Sequence, residues 1–220
     1  EVEGQVCCGA LHGHAGLLDE ARVLARANVA AFGDGDEPIV VNSAGCGAFM
    51  KGYDHLLADL PDGSPSPERR GGQGVRTFSA RVRDVTELLA ANGGPVPGAP
   101  LDLHVAYDPP CHLLHAQRIA DPPLQVFAAI PVLRLVAVPG AAECCGSAGL
   151  FTLVEPEMSR AVLNPKLERL REVAPQVVAT GNPGCLMQLG AGLAAARMSA
   201  AVRHPVELLD ASYRAAGRYE

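Results

Sequence analysis

Two vicinal cysteine pairs, each followed by glycine, are the residues of this sequence best suited to chemistry. The triplet Cys7-Cys8-Gly9 recurs as Cys144-Cys145-Gly146. Each triplet precedes a predicted helix, an apolar strand and a turn of small residues that ends in one further cysteine. That cysteine is Cys46 in the first half and Cys185 in the second, at nearly the same spacing. The sequence therefore contains an internal repeat that is built around thiols.

Four cysteines of the second half lie in predicted loops that follow strands: Cys111, Cys144, Cys145 and Cys185. The carboxyl ends of parallel strands meet at one edge of a sheet, so we expect these thiols to converge. Four thiolates suit an iron–sulfur cluster or zinc. Adjacent cysteines fit different irons of a cluster more easily than one compact ion. The alternatives are small buried hydrophobic residues and a redox-active vicinal dithiol.

Composition excludes several functional classes. A net charge of -6 and a pI near 5.6 argue against a nucleic-acid partner. Seven cysteines, an odd number that includes adjacent pairs, do not fit a secreted disulfide framework. No apolar run approaches the roughly 18 residues of a membrane span. The cysteines therefore indicate metal or redox chemistry in a reducing compartment.

The elements that must position the thiols alternate between strands and helices, which predicts parallel α/β layers. The predicted strands cover residues 39–42, 102–107, 132–138, 176–180 and 201–203. The predicted helices cover residues 15–32, 45–57, 156–173 (kinked or split at Pro165), 184–197 and 205–217. A further helix is predicted to begin at Thr77, as its cap, and to continue through Val82, Val85 and Leu89. Residues 61–74 are predicted to form a mobile surface loop.

Two halves follow from the repeat, each a small, mainly parallel sheet with flanking helices. The first covers residues 1–92, a Gly- and Pro-rich linker covers 93–101, and the second half covers 102–220. The chain opens without methionine and reaches its first triplet by Cys7. We therefore expect the first half to be truncated at its N-terminus and the chain to be the C-terminal part of a longer protein.

Longer strings carry a resemblance to a known family: CCGALHGHAG, VNSAGCGAFMK, PCHLLHAQ, ECCGSAGLF, ATGNPGCLMQL and HPVELLD. They resemble the cysteine-rich "CCG" domain of heterodisulfide reductase and, more closely, the glycolate oxidase iron–sulfur subunits. The resemblance covers essentially the whole chain. It implies an electron-transfer subunit, without catalytic residues of its own, of an FAD-linked enzyme that oxidises glycolate to glyoxylate. It further implies flavoprotein partners that alone carry the FAD, and a cytoplasmic location, either free or at the inner face of the membrane.

The resemblance also implies the site residues. Cys7, Cys8 and Cys46 would be the ligands of the first half, and the four cysteines of the second half would hold a [4Fe–4S] cluster. Ser43 and Asn182 stand where the wider family has a further cysteine, so we expect them to line the sites as hydrogen-bonding residues.

The sequence also suggests roles for His112, Asp108 and His204. His112 is either a hydrogen-bond partner or occasional ligand of the cluster, or a residue that only begins a helix. Asp108 is expected to cap a helix, and His204 to order the last turn of the chain.

Two alternatives to the glycolate enzyme stay open. One is the iron–sulfur subunit of a lactate-utilisation or heterodisulfide-reductase-like complex. The other, from a different functional class, is a structural module whose cysteines hold zinc.

Overall fold

The computed structural model describes residues 2–58 and 72–219. The chain forms two compact units that divide between Val85 and Thr86. The division expected from the sequence lies after residue 92. In the structure Leu89 packs against a hydrophobic cluster of the second unit, so the segment before the Gly- and Pro-rich stretch belongs there. Most of the predicted surface loop 61–74 lies outside the described residues.

The first unit is a short parallel strand pair with helices around it. Its elements are β1 (Ile39–Val41), β2 (Val82–Asp84), α1 (Ala10–His14), α2 (Leu18–Phe32), α3 (Ala44–Lys51), α4 (Tyr53–Ala58) and α5 (Gly72–Arg81). Ile39 pairs with Val82 across the two strands. The core is centred on the stacked rings of Tyr53 and Phe78, whose centroids lie 5.3 Å apart.

Strand β2 corrects the helix expected to begin at Thr77. Thr77 lies inside α5, and the helix ends at Arg81. Val82 then enters β2 and is fully buried beside β1. The apolar residues after Thr77 have the spacing of a helix. Pairing with β1 nevertheless buries Val82 more completely than a position on an exposed helix would. Tertiary pairing therefore overrides the local pattern here.

The second unit is a four-stranded parallel sheet with the strand order β4-β3-β5-β6. Its strands are β3 (His104–Tyr107), β4 (Arg134–Val136), β5 (Val177–Ala179) and β6 (Ala201–Arg203). The helices, of which the first begins at the boundary between the units, are α6 (Val85–Ala90), α7 (Asp121–Ala128), α8 (Phe151–Val154), α9 (Pro156–Val173), α10 (Pro183–Ala195) and α11 (Pro205–Ala215), with a 3₁₀ turn at Ala91–Gly93 and a π-helical turn at His112–Ala116.

The two central strands of this sheet, β3 and β5, are buried on both faces. Val105 belongs to one hydrophobic cluster and Ala106 to another, and both are almost inaccessible to solvent. Neighbouring residues of β3 are therefore buried on opposite faces, because helices cover both faces of a parallel sheet. Helix α9 runs through Pro165 as one helix and is not split.

The repeat is visible in the fold. The segment from β1 to α3 corresponds to the segment from β5 to α10, and β2 corresponds to β6. The sequence supports this match, since VRDVTELL at 82–89, which begins in β2, corresponds to VRHPVELL at 202–209, which begins in β6. Within residues 2–58 and 72–85 the first unit has no counterparts of β3 and β4. The described part of the chain has no helix with the length and apolarity to cross a bilayer.

Candidate metal centre

The four cysteines of the second unit lie at the carboxyl edge of its sheet. Cys111 follows β3, Cys144 and Cys145 follow β4, and Cys185 lies in the first turn of α10, after β5. Cys145 and Cys185 are buried, Cys111 is half-buried and Cys144 is exposed. This edge is where open parallel sheets build their sites, because the loops after neighbouring strands meet there.

Hydrogen bonds link the four sulfurs into one continuous group. Hydrogen bonds from the thiols of Cys111 and Cys145 lower the pKa of Cys144 far below its ordinary value. The same hydrogen bonds, together with burial, raise the pKa of Cys111 and of Cys145. Cys145 also donates to Cys185, whose pKa is lowered. The pKa values of Cys144 and Cys185 are thus lowered and those of Cys111 and Cys145 are raised, and the thiolate is the form that binds metal.

Backbone groups approach this site closely. The amide of Gly146 donates to the Cys144 sulfur at 3.3 Å. Gly146 has φ +84°, and a Cβ there would lie 2.5 Å from the Ser159 carbonyl oxygen. A Cβ on Gly184 would lie 2.6 Å from Ser147 Oγ. At Gly146 the close atom is backbone and φ is positive, so only glycine fits there, whereas a Cβ at Gly184 would require the Ser147 hydroxyl to move.

The donor set fits an iron–sulfur cluster. All seven cysteines are free thiols, so none is committed to a disulfide. Iron–sulfur clusters are held by cysteine thiolates, commonly four of them. Within the described residues, no group of three or more His, Cys, Asp or Glu side chains is arranged to bind a single metal ion. Cys111, Cys144, Cys145 and Cys185 would hold the cluster.

The first unit repeats half of this arrangement. The Cys8 thiol donates to Cys46, which raises the pKa of Cys8 and lowers that of Cys46 to about 6. Burial also raises the pKa of Cys8, and the charge of Cys7 raises it further. Cys8 and Cys46 thus correspond to Cys145 and Cys185. Cys8 and Cys46 are therefore in contact, and Cys7 adjoins Cys8 in the chain.

Ser43, Asn182 and His112 all lie beside a cysteine. Ser43 caps α3 by accepting a hydrogen bond from the Cys46 amide at 3.5 Å, and its hydroxyl interaction with Cys46 lowers the pKa of that thiol. Asn182 Nδ2 lies 3.5 Å from the sulfur of Cys185 and does not cap α10. His112 Nδ1 lies 3.7 Å from the Cys111 sulfur. That these residues tune or hold a cluster stays a prediction.

Asp108 is not a helix cap. The structure buries it in an ion pair with Lys166, and its second carboxylate oxygen accepts a hydrogen bond from the Thr180 hydroxyl at 3.4 Å. Lys166 is not predicted from the sequence, because α9 also carries several exposed charged residues and a single lysine does not stand out among them. His204 does order the last helix, since its Nδ1 accepts from the Val206 amide at 3.2 Å.

Comparison with known proteins assigns the chain to a family. The model of the cysteine-rich domain family CCG matches residues 1–51 and 105–190, which contain all seven cysteines. The chain belongs to the CCG cysteine-rich domain family. This match confirms the two-part α/β architecture and the repeat around the cysteine triplets.

Relatives of the chain include iron–sulfur subunits. The chain is 35% identical to the probable glycolate oxidase iron-sulfur subunit of Bacillus subtilis over 97% of its own length and 47% of the relative. It is 30% identical to the glycolate oxidase iron-sulfur subunit of Escherichia coli over 93% of its length and 48% of the relative. It is 26% identical to lactate utilization protein A of Oceanobacillus iheyensis over 94% of its length and 81% of the relative. The chain thus spans about half the length of these glycolate oxidase subunits.

Proposed function

We propose that this chain is the iron–sulfur electron-transfer part of an FAD-linked glycolate oxidase, and that Cys111, Cys144, Cys145 and Cys185 hold its cluster. The observation that carries the proposal is the convergence of these four cysteines at one sheet edge, in the loops after the neighbouring strands β3, β4 and β5. The similarity to glycolate oxidase iron-sulfur subunits supports the substrate.

A [4Fe–4S] cluster in this site would accept and release single electrons. The chain's own residues would do three things. The four cysteines would hold the cluster, and burial of Cys145 and Cys185 would keep water from two of the sulfurs. The Gly146 amide would stabilise negative charge on the Cys144 sulfur. Oxidation of glycolate would occur on flavoprotein subunits that carry FAD, in the cytoplasm or at the inner face of the membrane.

An exposed apolar surface beside the cysteines supports a flavoprotein partner. Leu153, Val154, Met158 and Met187 are 77%, 66%, 57% and 71% exposed. Leu150 and Phe151, which precede these residues along the chain, are half-buried. Helices α9 and α10 are joined by a hydrogen bond from Gln188 to Ser159 at 2.8 Å, next to Met187 and Met158. Electron transfer requires close approach, and this surface adjoins the site.

Co-purification tests the partner. The substitution Met187→Asp places a charge on the apolar surface and should abolish co-purification with the flavoprotein subunit, with the iron content unchanged. Val132 is 57% exposed and lies before β4, away from the carboxyl edge of the sheet. The control Val132→Asp should leave the complex intact. Equal binding of both variants would contradict this choice of surface.

Lactate is the second candidate substrate of the parent complex. The observation in its favour is the 26% identity to lactate utilization protein A of Oceanobacillus iheyensis over 94% of the chain. The purified complex should reduce an artificial electron acceptor with glycolate and not with lactate. Reduction with lactate alone would assign the chain to the second candidate, and zinc in place of iron would favour a structural module.

A further inference from the structure

Lys166 is a buried cation in helix α9 of the second unit. Its side chain is 3% exposed, and its ammonium group donates to the Asp108 carboxylate and, at 2.8 Å, to the Ala141 carbonyl. Lysine is almost never buried to this degree unless it is paired. Burying an ion pair often costs as much as the pair returns. Its presence therefore points to a role beyond stability.

The contacts of Lys166 reach all three loops that carry the cysteines of the second unit. Asp108 precedes Cys111 in the loop after β3. Ala141 precedes the Cys144-Cys145 pair in the loop after β4. The remaining oxygen of Asp108 accepts from Thr180, which begins the loop that leads to Cys185. One ammonium group and one carboxylate therefore join the three loops.

The charges of this pair act on the sulfurs of the site, Lys166 on Cys144 and Asp108 on both Cys144 and Cys185. The positive charge of Lys166 contributes to the low pKa of Cys144, after the hydrogen bonds described above. The negative charge of Asp108 opposes the lowering of the pKa of Cys185. Because the pair is shielded from water, these charges act through a medium of low dielectric constant.

The first unit has a neutral residue at the corresponding place. In the second unit, Gly146 approaches Ser159, and Lys166 lies about two helical turns beyond Ser159. In the first unit, Gly9 approaches Ala21 of α2, and Asn28 lies about two turns beyond Ala21. Asn28 is 1% exposed. Its amide accepts from the Val6 amide at 3.0 Å and donates to the Cys7 carbonyl at 3.1 Å. The same position thus joins segments in both units, and only the second unit places a charge there.

We propose that Lys166 is a positioning residue that joins the three cysteine loops and, through its fixed charge and that of Asp108, sets the reduction potential of the cluster in the second unit. The inference rests on the proposed function, because it requires a cluster in that site. A nearby positive charge favours the reduced, more negative state of a cluster, and a nearby negative charge disfavours it.

A redox titration of the iron-loaded protein tests the inference with three variants: Lys166→Met, Asp108→Asn and the double variant. Lys166→Met should shift the midpoint potential to more negative values and Asp108→Asn to more positive values. The midpoint potential of the double variant should lie between those of the two single variants. Comparison of the double variant with either single variant that holds iron therefore tests the inference. Arg171→Met removes an exposed cation from the same helix and should leave the potential unchanged.

Several outcomes would overturn the inference. Unchanged potentials in iron-loaded variants, or shifts in the same direction in both single variants, would show that the charges do not set the potential. Loss of iron from all three variants, with iron retained by the wild type, would reduce Lys166 to a structural residue. A wild-type protein that holds no iron would instead remove the proposed function, and this inference with it.

Discussion

The two units share a thiol motif but surround it differently. In both, the second cysteine of the pair donates a hydrogen bond to the downstream cysteine, and the following glycine has a positive φ near +80°. The second unit adds a fourth thiol, Cys111, and a buried ion pair. The first unit has three thiols and a neutral amide, Asn28, in the place of Lys166. The shared motif therefore fixes the local backbone, while the neighbouring residues determine what the thiols can hold.

The largest expected difference between the units concerns iron. Cys145→Ala removes the sulfur that hydrogen-bonds both Cys144 and Cys185, and should eliminate nearly all bound iron. Cys8→Ala removes the corresponding sulfur of the first unit and should leave most of the iron in place, because that unit supplies three thiols. Iron and acid-labile sulfide analysis of both variants measures the difference. Equal loss in both would contradict the comparison.

Substitution of the glycine after each pair should also have unequal effects. Gly9 and Gly146 both have left-handed backbone conformations, so alanine at either position should cost about 1–2 kcal/mol of unfolding free energy. A Cβ at Gly146 would in addition lie 2.5 Å from the Ser159 carbonyl oxygen, against 3.3 Å from the Ala21 oxygen at Gly9. Urea denaturation should therefore show a larger loss for Gly146→Ala. A larger loss for Gly9→Ala would be inconsistent with this geometry.

Asn28 should stabilise the first unit by hydrogen bonding alone. Asn28→Ala leaves the Val6 amide and the Cys7 carbonyl without this partner, which should cost about 1–3 kcal/mol. Tyr53→Phe removes two hydrogen bonds, one donated to the Cys8 carbonyl at 2.7 Å and one accepted from Asn28 Nδ2 at 3.2 Å, and should cost about 1–3 kcal/mol. Thermal or urea unfolding checks both values. A more stable Asn28→Ala variant would show that the amide is not structural.

The smallest expected effects are at Ser43 and Asn182. Ser43→Ala removes the cap of α3 and should cost about 1 kcal/mol of unfolding free energy. Asn182 does not cap α10, so Asn182→Ala should cost less and should leave the iron content largely intact. Asn182→Cys should change the absorption spectrum or the potential of the cluster. Loss of iron in Asn182→Ala would make that residue a ligand or an essential neighbour of one.

Much of the fold is predictable from local patterns. The strand at Ala201–Arg203 is predicted at its observed bounds, and the other strands of the second unit within a few residues, because short apolar runs between turns mark buried parallel strands. Strand β2 is missed because Val82 and its neighbours have helical spacing. The match between VRDVTELL and VRHPVELL is the signal that could have identified it.

The candidate site is predictable in its sulfurs and not in its charges. The cysteines stand out because their type and repetition are visible along the chain. The Asp108–Lys166 pair joins residues far apart in sequence, and no local pattern relates a carboxylate after β3 to one lysine of α9. Such pairs become visible only when the tertiary structure brings their elements together.

Metal analysis of the wild-type chain, purified without oxygen, decides whether the second unit alone holds a cluster. We expect about four iron and about four sulfide atoms per chain, held by the four thiols of the second unit. Zinc as the bound metal would contradict this expectation, because the site would then be structural. About eight iron atoms per chain would also contradict it, since the first unit would then hold a full cluster with three cysteines.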